Sequence, residues 1–183
     1  MNLPNLITIG RILLVPLTIW LIVTGQFLLA FLVFVIAGVS DAIDGFIARR
    51  YHLHTDLGRY LDPLADKLLL DSIFVTLGFL KFIPAWLVIL VASRDVLIIG
   101  AVMLSWLLEK PIRVRPLMVS KATTLMQILF AGAVLAALGL ELNVTTLQVA
   151  GSVVVAALTA ASCALYMRDW VGHMANGAGD PQT

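Results

Sequence analysis

Apolar runs of near-spanning length dominate this chain, at residues 6–23, 27–48, 60–80, 84–108, 117–140 and 146–167. A helix needs about 20 mostly apolar residues to cross the hydrocarbon core of a bilayer. Turn-forming or polar segments separate the runs, at 24–26, 49–58, 82–84, 109–116 and 141–145. Apolar residues make up 61% of the chain and charged ones only 13%, where a soluble domain carries about 25% charge. The apolar excess has to face lipid. The expectation is an all-α integral membrane protein of six transmembrane helices. It forms one membrane domain over 1–171, followed by a disordered Gly- and Asn-containing tail at 172–183.

Lys and Arg set the orientation. Arg49, Arg50 and Arg59 flank the second connection, and Lys110, Arg113, Arg115 and Lys121 flank the fourth. Arg168 follows the last run, and the alternate connections hold only Lys81. Both termini are therefore expected in the cytoplasm. A net charge of +1 provides no global field for nucleic acid. Cys163 stands alone, which rules out an internal disulfide. The first apolar run lacks a basic leader and a small-residue cleavage site, and no Arg/Ser-rich transit segment precedes it. A bacterial inner membrane suits these features, as does a mature organellar one.

Carboxylates inside such runs need a reason, because each costs at least about 2.5–3.5 kcal/mol at mid-membrane. Asp41 and Asp44 close the second run, and Asp62 and Asp66 open the third. Spacings of three and four put each pair on one helix face. The short connection folds the two spans antiparallel, so the pairs lie at similar depth. Carboxylates this close cannot all stay charged without partners. Divalent cations resolve the conflict, and oxygen-only ligands suit Mg²⁺ or Mn²⁺. Two such ions about 3.5–4 Å apart form a site for phosphoryl displacement. A salt-bridge network with Arg49, Arg59 and Lys67 is the alternative. Gly45 and Gly58 beside the carboxylates permit either close ligand approach or close helix packing. Arg49 stands where it reaches a phosphate or anchors the positive-inside topology.

The segment from Asp41 to Asp66 reads D-A-I-D-G-F-I-A-R, then Gly58, Asp62 and Asp66. It resembles the full signature of the CDP-alcohol phosphotransferases, D-x2-D-G-x2-A-R-x8-G-x3-D-x3-D. A chance match is on the order of 10⁻¹⁰ per starting position. The resemblance implies that Asp41, Asp44, Asp62 and Asp66 hold two divalent metals, Mg²⁺ or Mn²⁺, and that Asp66 is the general base. It implies that Gly45, Ala48, Arg49 and Gly58 line the cytidine diphosphate site, that CDP-diacylglycerol is the donor, and that the chain is a homodimer.

The motif does not choose the acceptor. Ser93, Arg94, Asp95 and Val96 in the fourth run resemble the Ser-Arg-Asp-Val segment of the CMP-forming cardiolipin synthases, which implies phosphatidylglycerol as acceptor and cardiolipin and CMP as products. Phosphatidylglycerophosphate synthases, the alternative, favour Gly-Lys-x-Lys-Thr at the start of the fifth run. Here that stretch is Ser120, Lys121, Ala122, Thr123 and Thr124, with one lysine fewer. Thr123 departs from the Asn more usual in cardiolipin synthases. Lys121, Arg113, Arg115 and Arg94 are the candidate acceptor-binding cations. Asp71 follows Lys67 by four and is expected to pair with it. Arg94 and Asp95 are expected to satisfy each other or a neighbouring helix, or to touch acceptor or lipid. His52 and His54 are expected to be solvated, and Trp20, Trp86, Trp106 and Trp170 to sit in interfacial belts. A cation or proton transporter would spread its charges along a path across the bilayer, whereas the acidic cluster here stays at one depth.

The charge asymmetry predicts that cysteines placed at His54 and in the C-terminal tail label only from the cytoplasmic side. Labelling of either from the opposite side would overturn this orientation.

Overall fold

The computed structural model describes the backbone of residues 3–51, 56–107 and 118–176, and the side chains of 12–40, 67–100 and 118–171 together with residues 10 and 103. The helices are α1 (Leu3–Val23), α2 (Phe27–Tyr51), α3 (Asp56–Phe79), α4 (Ala85–Leu107), α5 (Met118–Gly139) and α6 (Thr145–Asn176). No strand occurs among the described residues. The shortest helix has 21 residues, about 30 Å of rise.

Each helix coincides with one apolar run, and the differences lie at polar ends. α3 begins at Asp56 rather than 60, and α6 continues to Asn176 rather than stopping at 167. Residues 172–176, assigned by sequence to a disordered tail, are therefore helical, while 177–183 lie outside the described residues. Hydropathy marks only the part of a helix at lipid depth, and backbone hydrogen bonding carries the helix onward into the polar interface. Gly172 costs about 1 kcal/mol relative to alanine, and 168–176 contain no proline to stop the helix.

Three connections share one design. In each, a residue with positive φ ends the helix: Gly25 (76°), Lys81 (64°) and Glu141 (54°). The following amide closes a six-residue loop onto the helix: Gln26 N to Leu21 O (2.8 Å), Phe82 N to Leu77 O (2.9 Å) and Leu142 N to Ala137 O (2.8 Å). These are Schellman caps, which satisfy carbonyls that would otherwise be orphaned at the helix ends. They turn the chain sharply, making hairpins of α1–α2, α3–α4 and α5–α6. The α2–α3 and α4–α5 connections consequently fall at the other end of the bundle.

The hairpins pack in a ring with the order α1, α2, α5, α6, α4, α3, and α3 also touches α5 across it. Ile22, Ala37, Ile73, Leu77, Leu87, Val134 and Val155 are among the buried residues. The rings of Phe74 on α3 and Phe130 on α5 meet with centroids 6.1 Å apart. Outward faces are apolar as well: Trp20, Ile36, Phe79, Val96, Leu129 and Val149, one on each helix, are exposed. The described helices are thus apolar on their outward as well as their inward faces. Two described stretches, Met118–Gly139 and Thr145–Val171, are long and apolar enough to cross a membrane, and Ile12–Val23 and Phe27–Ser40 are shorter apolar segments.

Gly139 marks the tightest backbone approach in the described core. A Cβ added there would lie 2.6 Å from Leu28 N and 2.7 Å from its Cα. Small residues allow this kind of contact between membrane helices. An alanine normally gains about 1 kcal/mol over glycine inside a helix, but here it meets backbone that cannot swing aside. Gly139→Ala is therefore expected to lower stability, by about 1–3 kcal/mol, read as a reduced thermal midpoint in detergent. A raised midpoint would contradict the α2–α5 packing.

Candidate active site

Asp41, Asp44, Gly45, Ala48 and Arg49 occupy the last turns of α2, and Gly58, Asp62 and Asp66 the first turns of α3. Both helices are unbroken through these positions, so the three- and four-residue spacings do place each aspartate pair on successive helical turns. Both sets belong to the same end of the bundle, opposite the three Schellman caps. α1 packs against both α2 and α3. The side chains of these eight residues, and with them the metal-ligand and nucleotide-contact expectations, lie outside the described residues. Arg113, Arg115, His52 and His54 lie outside them entirely.

The surroundings of the aspartates are described. A cavity of about 410 Å³ opens between α2, α3 and α5. Phe34, Gly38 and Val39 line it from α2, Leu69 and Leu70 from α3, and Ile128 from α5; Lys67 and Thr124 are its polar members. Val39 precedes Asp41 by two residues and Lys67 follows Asp66 directly, so this apolar cavity borders both aspartate turns. Such a space accepts hydrocarbon and offers a cation at its edge.

A buried polar chain runs from the same place through the bundle. Lys67 Nζ stands 2.9 Å from Asp95 Oδ1 on α4. The same oxygen accepts from Arg94 Nη1. Arg94 is only 3% exposed, and its Nη2 donates to Ser120 Oγ on α5 (2.6 Å) and to Ser162 Oγ on α6 (3.0 Å). Asp71 lies in the electrostatic field of Lys67, Arg94 and Asp95. The i,i+4 spacing of Lys67 and Asp71 pointed to a pair within α3, yet among the described residues the ion-pair partner of Lys67 is Asp95 on α4.

Arg94 and Asp95 thus bond to each other and to neighbouring helices, with Arg94 Nε left unpartnered among the described residues. Ser120 and Ser162 escaped the sequence reading, because residues 26 and 68 positions from Arg94 leave no local signal. Lys121, beside Ser120, is exposed. Thr123 is buried, and its Oγ1 lies 2.8 Å from Val119 O and 3.1 Å from Leu158 O, joining α5 to α6. Gln127 and Thr159 add a polar contact farther along that seam. Trp20 and Trp86 are exposed near helix ends.

Comparison with known proteins gives this arrangement its relatives. The human protein named cardiolipin synthase (CMP-forming) is 36% identical over 152 residues, covering 74% of this chain and 50% of that protein. A rice protein, named CDP-diacylglycerol–glycerol-3-phosphate 3-phosphatidyltransferase 1, chloroplastic, is 34% identical over 152 residues, covering 74% of this chain and 46% of its own length. A Bacillus subtilis protein named CDP-diacylglycerol–glycerol-3-phosphate 3-phosphatidyltransferase is 36% identical over 115 residues, covering 54% of this chain and 59% of that protein. The chain spans about half the length of these curated relatives. The family described as CDP-alcohol phosphatidyltransferase matches residues 1–165. That match takes in all four aspartates, α1 to α5 and α6 as far as residue 165, and the chain belongs to the CDP-alcohol phosphatidyltransferase family.

Proposed function

We propose that the chain transfers the phosphatidyl group of CDP-diacylglycerol to the hydroxyl of phosphatidylglycerol, forming cardiolipin and releasing CMP. The observation that carries the transfer reaction is the complete aspartate signature within a family match over 1–165. The aspartates present only carboxylate oxygens, a donor set suited to hard divalent cations. Asp41, Asp44, Asp62 and Asp66 would hold two such ions, Mg²⁺ or Mn²⁺. When bound, these supply charge neutralisation for the diphosphate and the departing CMP.

The remaining roles fall to the chain itself. Gly45, Ala48 and Gly58 leave room for the cytidine diphosphate, and Arg49 binds its phosphate. Asp66 accepts the proton of the acceptor hydroxyl as the new P–O bond forms and the P–O bond to CMP breaks. The cavity between α2, α3 and α5 keeps the reaction beside hydrocarbon. Lys121, Arg113 and Arg115 bind the acceptor's phosphate, with Arg94 holding the turn that carries Lys121 through its bond to Ser120. The Nη groups of Arg94 are already engaged by Asp95, Ser120 and Ser162. Arg94 is thus not counted among the acceptor's cations, and Thr123 stands where phosphatidylglycerophosphate synthases favour a second lysine, which supports a singly charged phosphodiester over glycerol-3-phosphate. The relatives bear both names at similar identity, so phosphatidylglycerophosphate synthesis is the second reading.

In the same reading all six helices cross a bacterial inner membrane with both termini in the cytoplasm, and the chain works as a homodimer. The exposed apolar residues on every helix and the one-sided Lys and Arg support the embedding.

Supplied with CDP-diacylglycerol and Mn²⁺ or Mg²⁺, the purified protein should consume phosphatidylglycerol and ignore glycerol-3-phosphate. Faster turnover of glycerol-3-phosphate hands the assignment to the second reading. Asp66→Asn should retain donor binding but lose turnover by about 10²–10⁴-fold. Asp41→Asn and Asp62→Asn should weaken metal and nucleotide binding together. Near-normal turnover in Asp66→Asn would remove it as the base.

A further inference from the structure

The ion pair of Lys67 with Asp95 is the first described polar anchor on α3 after the aspartate turns. Through Arg94, Ser120 and Ser162 it connects α3 to α4, α5 and α6. Apolar side chains of similar volume commonly hold helices together at least as well as a buried ionic chain. This chain is also incompletely satisfied, because Arg94 Nε is buried without a partner among the described residues. A costly, imperfect network one residue from Asp66 calls for a role beyond cohesion.

We propose that Asp95 is a positioning residue: through Lys67 it sets the rotation of α3 about its own axis, and so the direction in which Asp62 and Asp66 present their carboxylates. The proposal rests on the reading of those aspartates as metal ligands. A helical side chain reaches about 5–6 Å from the axis, so a turn of about 20° displaces a carboxylate by about 2 Å. Metal ligation tolerates about 0.2 Å. The buried Leu69, Leu70, Ile73 and Leu77 already restrict α3, and the 2.9 Å ion pair to α4 adds a directional tether at the turn next to Asp66.

The test uses the full chain in detergent, with Mn²⁺ binding followed by electron paramagnetic resonance and CMP release from CDP-diacylglycerol measured in parallel. Asp95→Asn and Lys67→Met should each weaken Mn²⁺ binding by about 10-fold or more. The double variant should be no worse than the worse single one, because both remove one contact. Lys67→Arg, which keeps the pair, should restore affinity. Should Asp95→Asn not fold, Lys67→Met still decides, since the Lys67 side chain is 37% exposed and its loss leaves no buried cavity. Asp71→Asn, on the same helix but outside the bonded chain, should leave Mn²⁺ affinity unchanged. A lowered thermal midpoint with unchanged Mn²⁺ affinity in Lys67→Met would reduce the network to a structural clamp and overturn the proposal. An equal loss in Asp71→Asn would overturn it in favour of a general field effect. A wild-type chain that binds Mn²⁺ yet releases no CMP would defeat the proposed function, while the Mn²⁺ comparison would still judge the role of Asp95.

Discussion

Charge placed in an apolar bundle has to be matched, and the rest of this structure is arranged around that requirement. Removing one partner of a buried pair costs about 3–5 kcal/mol, because the other is left uncompensated. The chain meets the requirement in two ways. Inside the bundle, Asp95 pairs with Arg94 and with the half-exposed Lys67, and Arg94 draws in Ser120 and Ser162. The last turns of α2 and the first of α3 carry Asp41, Asp44, Asp56, Asp62 and Asp66 against Arg49, Arg50, Arg59 and Lys67, an imbalance of one negative charge that the proposed divalent metals would match.

Turn geometry decides where that imbalance falls. The Schellman caps at Gly25, Lys81 and Glu141 reverse the chain within a few residues. The hairpins they create leave the α2–α3 connection at the opposite end, with the aspartates on the turns that flank it. Lys81 and Glu141 adopt a left-handed backbone that costs about 1–2 kcal/mol for a side-chain-bearing residue, which the cap hydrogen bonds offset. The α2–α3–α5 cavity then supplies hydrocarbon-compatible space next to polar chemistry. The proposed donor, a lipid with a nucleotide head, needs both environments within one molecule's reach.

Much of this was legible from residues alone, for physical reasons. A spanning helix must be apolar over about 20 residues, so the positions of the helices followed from hydropathy. Their polar ends did not, since hydrogen bonding continues where hydropathy stops, as in α3 at Asp56 and α6 beyond Met167. The aspartate signature stood out because carboxylates in such runs are rare. Long-range partners were hidden: Lys67 had a plausible local mate in Asp71, and only the packing of α3 on α4 shows that Asp95 is the one it takes. Ser120 and Ser162 resembled ordinary small residues of membrane helices until Arg94 was seen to reach both. Acceptor identity is the least legible feature, because the motif is shared across the family and relatives of similar identity carry two different activity names.

The central claim is that the acidic cluster works through divalent metal on a CDP-linked lipid. The most direct measurement is CMP release from CDP-diacylglycerol by the purified chain, with phosphatidylglycerol present, before and after chelation with EDTA. The account predicts release that disappears on chelation and returns with added Mg²⁺ or Mn²⁺. Release that persists through chelation would contradict it.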